Sequence, residues 1–246
     1  MVMALRVWEH VQVGEVNVAI ANATTNLREN RSASTANELG IVYLWLREYE
    51  AAWLHYHRAQ EELANNISVF YGKAGIAKWC QGDWCSAFDE WRAGLRCEYT
   101  DWAGGISIPL VMWAAAVLAD QAPLAEEAIV HLIERLRSDQ SVLWPGPLAS
   151  WIVGDSQDFR LKREGSGQVA GDQCTLDEWQ VEFYKGVMDL RDGKADGFRH
   201  RMRICGNVSW IELAQAPRVF FGKIWSDEFF VARHQLDSLK TVVDGN

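Results

Sequence analysis

Apolar positions along this chain recur at helical spacing, and small residues punctuate them at regular intervals. Between Thr35 and Leu63 (TANELGIVYLWLREYEAAWLHYHRAQEEL) the pattern predicts two short antiparallel helices. The first carries Leu39, Gly40 and Tyr43; the second carries Ala52, Tyr56 and Ala59, with Tyr49 at the turn. Thr35 and Glu38 have capping-box spacing, which predicts a helix start at Thr35. Glycine inside a helix costs roughly 1 kcal/mol against alanine, so Gly40 needs a packing reason. A neighbouring helix pressed against its backbone supplies one. Ala52 and Ala59, on one face of the second helix, are the matching flat surface.

The pattern returns along the chain. Residues 4–28 read as a shortened unit, with Gly14 at the turn and Ala19 and Ala23 on an inner helix face. From Ser68 to about Cys97, Gly75 takes the Gly40 role, Gly82-Asp83-Trp84 the turn, and Ala87, Trp91 and Gly94 the second-helix positions. Further on, Ser107 is expected to cap a helix containing Pro109, whose partner runs from Leu124 to Leu136 with Ala128 as its small residue. Trp144-Pro145-Gly146-Pro147 forces a rigid turn, and Pro147 suits the start of the short helix LASWIV, which Gly154 ends. Residues 155–173 have no apolar period and a Gly165-Ser166-Gly167 centre, so a mobile insertion is expected there. Thr175 and Glu178 form a second capping box, followed by Phe183, Tyr184, Gly186 and a turn at Gly193. Phe198 stands there in place of the small second-helix residue. Residues 209–240 are apolar at helical spacing and read as closing helices.

This arrangement resembles the tetratricopeptide repeat. Leu39, Gly40, Tyr43, Tyr49, Ala52, Tyr56 and Ala59 all sit in that family's register. Ala36 replaces its Trp and Ala64 its Pro, neither of which breaks the hairpin. The resemblance implies one all-α, right-handed superhelix of antiparallel helix pairs over residues 1–246. Its clear repeats are at about 33–66 and 68–97, with degenerate ones at 1–30, 107–137 and 176–205. It also implies a concave groove lined by first-helix positions. These are Asn37, Ile41, Leu44 and Trp45, then Val69, Gly72, Lys73, Ile76, Trp79 and Cys80, then Phe183, Tyr184, Val187 and Leu190. That surface is apolar and aromatic, and Lys73 is its one basic candidate, so the basic set that grips a terminal carboxylate in chaperone-binding members is missing. The WPGP stretch followed by Phe183-Tyr184-Lys185-Gly186 also looks like bacterial repeat proteins of toxin neighbourhoods.

Charge narrows the partner. The formal net charge is −9, and residues 101–178 hold 12 acidic against 5 basic residues. Nucleic acid requires clustered Lys and Arg, so an acidic centre argues against it and favours a basic protein. No apolar run reaches the ~18 residues of a membrane helix; the longest spans Ile106 to Ala119. The opening residues MVMALRVWEHVQVGE lack a basic export-signal start, so a cytoplasmic location is expected. Five cysteines, an odd number, fit reduced and mostly buried thiols.

Catalytic signals are missing from the sequence. It contains no nucleophile motif, phosphate loop or HExxH, and neither a metal nor a cofactor is expected. His55 and His57 face different sides of a helix, and Glu126 and Glu127 read as solvated positions. Tryptophan is abundant, at 13 residues. Trp8, Trp84, Trp91, Trp113 and Trp151 are explained by packing between helices. Trp45 and Trp79 are the expected groove anchors, with Glu126 and Glu127 at the rim. The resulting expectation is a non-enzymatic immunity protein that neutralises a basic bacterial toxin domain by direct binding. The alternatives are an adaptor or secretion chaperone holding an extended peptide, and an enzyme with a dispersed site around His131 or Glu178.

Overall fold

The computed structural model describes residues 15–30, 33–62, 66–98, 100–155, 170–206 and 227–244. Among these the protein is all α-helical, with no β-strand. Residues 15–98 belong to one compact unit, and residues 100–206 with 227–244 to a second. Trp8, Gly14, residues 156–169 of the expected insertion and the first part of the expected closing helices lie outside the described residues.

The first unit comprises α1 (Val16–Asn30), α2 (Ala33–Leu46), α3 (Tyr49–Glu62), α4 (Ser68–Cys80) and α5 (Trp84–Gly94). Each helix packs on the next in sequence, and α2 also touches α4. Ala19 and Ala23 on α1 are fully buried, as are Ala52, Tyr56 and Ala59 on α3. A Cβ on Gly40 would stand 2.5 Å from the Tyr56 ring, so the absent side chain is what lets α3 approach α2. At Gly75 the approach is closer still: a Cβ would lie 2.1 Å from Trp91 Nε1. Trp91 is fully buried, and its indole N–H donates to the Gly72 carbonyl at 3.1 Å. Helix α4 is apolar on nearly every side and is buried without a break from Phe70 to Ala77, as a helix lacking a polar face must be. The expected start of α2 is corrected. Its helical backbone begins at Ala33, so Thr35 lies within the first turn instead of capping it, and Thr35 and Glu38 are both buried.

The second unit comprises α6 (Ser107–Leu118), α7 (Ala122–Arg135), a short 3-10 turn (Asp139–Val142), α8 (Gly146–Val153), α9 (Ala170–Arg191), α10 (Ala195–Gly206) and α11 (Asp227–Asp244). Helix α6, buried throughout from Ile108 to Ala116, is its apolar centre and packs against α7, α9 and α11. Trp113 stacks on Tyr184 with ring centroids 6.4 Å apart. From α9, the Tyr184 hydroxyl and the Gln180 amide both donate to Glu228 Oε1 on α11, at 3.0 and 3.1 Å. Burial, then the Glu228 charge, push the Tyr184 phenol well above its usual range. The second capping box is also corrected: α9 is already helical from Ala170, so Thr175 and Glu178 are interior positions.

One turn geometry closes four hairpins. Arg47 has φ of 65°, its N–H donates to the Leu44 carbonyl at 3.1 Å, and Glu48 N–H donates to that of Tyr43 at 2.9 Å. This pair of bonds is the Schellman motif, which satisfies carbonyls left open at a helix end. It recurs at Gly82, Asp120 and Gly193, and each time the next helix starts two residues later. The turn expected at Tyr49 is therefore at Arg47 and Glu48, and Tyr49 opens α3. Gly154 ends α8 in the same way, with φ of 87°. Counted from the left-handed residue, Gly40, Gly75 and Gly186 are equivalent, and so are Tyr56, Trp91 and Met202. The α6–α7 pair departs: Trp113 takes the glycine position, and Ala125, not Ala128, takes that of Ala52.

Candidate functional site

Most of the residues expected to line a groove are buried, but Val69 is 48% exposed and Asn37 and Leu190 are half-buried. Ile41, Ile76, Phe183 and Tyr184 are fully buried, while Trp45, Trp79 and Lys73 are 2%, 3% and 4% exposed. Side chains hidden to that degree offer a partner no contact area in the folded chain. Helix α4 is flanked by α2, α3 and α5, and α9 by α6, α10 and α11. Asn37 is half-buried, and its Oδ1 has no hydrogen-bond partner among the described residues. Glu126 is exposed and Glu127 partly so. His131 lies 3.5 Å from Glu134, and the side chain of Glu178 lies outside the described residues. His55 stacks on Tyr43 and His57 on Trp53, each with centroids 5.2 Å apart. Among the described residues no group of His, Cys, Asp and Glu could hold a metal ion.

An open cavity of about 510 Å³ lies among α3, α4 and α5. Helical spacing puts Trp53, His57 and Gln60 on one face of α3, and that face meets Glu90 of α5. Glu90 Oε1 accepts the Trp53 indole N–H at 2.8 Å, and Oε2 accepts the Gln60 amide at 3.0 Å. Gln60 Oε1 lies 3.2 Å from His57 Nδ1, so the amide bridges the two. Lys78 Nζ sits 3.9 Å above the Trp53 ring and donates to Glu50 at 3.1 Å. Bonds from Gln81 and Lys78 hold the Glu50 carboxyl below the usual range. Tyr71 closes another wall, and burial raises its phenol above the ordinary value. This lining orients one carboxylate with two neutral donors and surrounds it with aromatic rings. It has the chemistry of a cation receptor. Sequence reading missed it because its central contact joins residues 37 apart on different helices.

A second candidate lies at the entry to α6. Asp101 Oδ1 accepts the N–H groups of Ala103 and Gly105, each at 2.9 Å, and its Oδ2 accepts that of Ser107 at 2.6 Å. Ser107, the expected cap, is the first helical residue; the N-cap position is Ile106, which makes no side-chain cap bond, and Asp101 satisfies the Ser107 amide from six residues upstream. A carboxylate at a helix N-terminus also meets the positive end of the helix dipole. On the loop so fastened, Trp102 is 88% exposed. The adjoining 3-10 segment ends at Val142, 76% exposed, and Leu143, 49% exposed, follows it. The two segments meet where a side chain on Gly104 would lie 3.1 Å from Ser138 Oγ. Scattered exposed apolar residues need no explanation, but an open tryptophan on a loop tied by three bonds to one carboxylate is a built feature. The available signal was a tryptophan within YTDWAGGISI, a link that stands out for its length and its paired glycines.

No known family's profile matches the chain, and no curated protein sequence matches it. Among the described residues no helix is long and apolar enough to cross a membrane. Cys80, Cys85, Cys97 and Cys205 are free thiols, with Cys80 and Cys205 buried. Fold and surface thus define a protein of helical hairpins with two candidate contact sites, one in each unit.

Proposed function

We propose that the chain is a tetratricopeptide-like solenoid that works by binding another protein, as an immunity-type protein that neutralises a basic toxin in the cytoplasm. The observation that carries this reading is Trp102, almost fully exposed on a loop that Asp101 holds in place. Tryptophan is the residue most favoured as an interface hot spot, and presenting it on an ordered loop lowers the entropy lost on association. The loop begins the most acidic part of the chain, where 12 acids face 5 bases, which suits a basic partner and speeds encounter with it. The repeated Gly40–Tyr56 and Gly75–Trp91 contacts and the shared hairpin turn support the repeat reading. With Trp45 and Trp79 buried, the expected groove anchors support neither this reading nor the extended-peptide alternative. The reading is non-enzymatic because the sequence carries no catalytic motif.

The experiment is affinity capture from the native host, followed by reconstitution with the purified partner. A stoichiometric complex should abolish the partner's toxic activity. Trp102→Ala should weaken binding by about thirtyfold, the equivalent of the ~2 kcal/mol of a hot spot, with helicity unchanged. A captured protein whose activity survives complex formation would sink the immunity reading. Equal binding by Trp102→Ala would sink the assignment of this loop.

A further inference from the structure

We infer that the cavity among α3, α4 and α5 is a receptor for an arginine side chain of the protein partner, an inference that rests on the protein-binding reading and adds to it the chemistry of one contact. The argument begins with Glu90. Its two oxygens are held by the Trp53 indole and the Gln60 amide, both neutral donors. Among the described residues no cation pairs with it. Neighbouring Asp89, by contrast, has Arg92 at 3.0 Å, and Glu50 has Lys78 at 3.1 Å. Glu90 is therefore a part-buried carboxylate whose position is fixed while its charge is left uncompensated. Each of its oxygens has accepted one hydrogen bond and keeps capacity for a second. Two parallel acceptor sites match the planar fork of a guanidinium better than the point charge of an ammonium.

The walls fit the same ligand. Tyr71 provides flat aromatic surface for the guanidinium plane. The Tyr71 side chain stands in the same lining, and a phenol oxygen can accept an N–H. A cavity of about 510 Å³ accommodates a long side chain with room for its stem. The one lining lysine, Lys78, lies over the Trp53 ring and pairs with Glu50, not with Glu90.

The test needs no partner. N-acetyl-arginine amide is titrated into the whole protein and the Trp53 indole N–H resonance is followed, assigned by its disappearance in Trp53→Phe. The expected result is a saturable shift in the millimolar range. N-acetyl-lysine amide should bind several-fold more weakly, and Glu90→Gln should weaken the arginine probe by at least about tenfold. Should Glu90→Gln not fold, Ala93→Arg, which puts a guanidinium one helical turn from Glu90 without removing a bond, should abolish the shift by filling the site. No saturable shift, equal binding of the two probes, or binding that survives either substitution overturns the inference. Failure here leaves the Trp102 result standing, and a lost Trp102 effect leaves this titration unaffected, so the two failures are distinguishable.

Discussion

Gly75→Ala tests the principle on which the helix pairs are built. In an open helix this change stabilises, by up to ~1 kcal/mol, because alanine has the higher helix propensity. Here the new methyl would lie 2.1 Å from Trp91 Nε1 and 2.5 Å from Cδ1 and Cε2. Relief requires the ring to retreat by more than an ångström. Trp91 has nowhere to go: it is fully buried and packs edge-on against Phe88 with centroids 5.1 Å apart. Overpacking of this kind costs ~1–3 kcal/mol. The same displacement breaks the indole bond to the Gly72 carbonyl, at 3.1 Å, and leaves a buried donor unsatisfied for another ~1–3 kcal/mol. The two costs exceed the propensity gain, so a net loss of about 2–4 kcal/mol is expected. Urea unfolding followed by circular dichroism should show a lower midpoint at an unchanged slope. In a Trp91→Phe background the same glycine change should cost ~1 kcal/mol less, since the clashing nitrogen and its bond are gone. A Gly75→Ala protein as stable as the parent, or more so, would show that the close approach of α5 to α4 is not what the glycine serves.

Two further substitutions probe the second unit. Tyr184→Phe removes a buried bond to a charged acceptor and should cost ~1.5–3 kcal/mol at neutral pH. Because the folded phenol titrates above the unfolded one, its contribution is complete below pH ~10 and is lost as pH rises beyond that, so the variant should show a shallower alkaline fall in melting temperature. Asp101→Ala strips the acceptor from three backbone amides and should cost at least ~2 kcal/mol, with amide exchange quickening at Ala103, Gly105 and Ser107 while α9 and α10 stay protected.

What could be read from the sequence was whatever one hairpin determines by itself. Gly40, Ala52 and Ala59 were legible because a close helix contact admits only small residues, and Gly82, Gly154 and Gly193 because a left-handed helix end favours glycine. Arg47 and Asp120 take the same backbone conformation without that signal, so the first turn was expected two residues late. The capping boxes misled for a geometric reason. Thr and Glu three apart mark a helix start, but the same spacing places them together on the face of any helical segment; Thr35 lies inside the first turn of α2 and Thr175 in the interior of α9.

The groove failed for a different reason. Whether a first-helix residue faces solvent depends on what packs beyond the hairpin, and no single repeat encodes that. The cue was present in α4 (SVFYGKAGIAKWC), whose apolar residues surround the axis instead of leaving one polar side; a helix of that kind is enclosed. Once Trp45 and Trp79 are counted as core, the search for anchors moves to residues that hairpin packing cannot explain. Trp102 is held out to solvent by Asp101, and Glu90 is held in place without a counter-charge among the described residues. Exposing a tryptophan and partly burying an unpaired carboxylate both work against stability, and each is secured by its own set of hydrogen bonds. Bonds that hold such groups in fixed positions are what the proposed protein-binding reading requires, and the acidic balance of the chain suits a basic ligand in that reading.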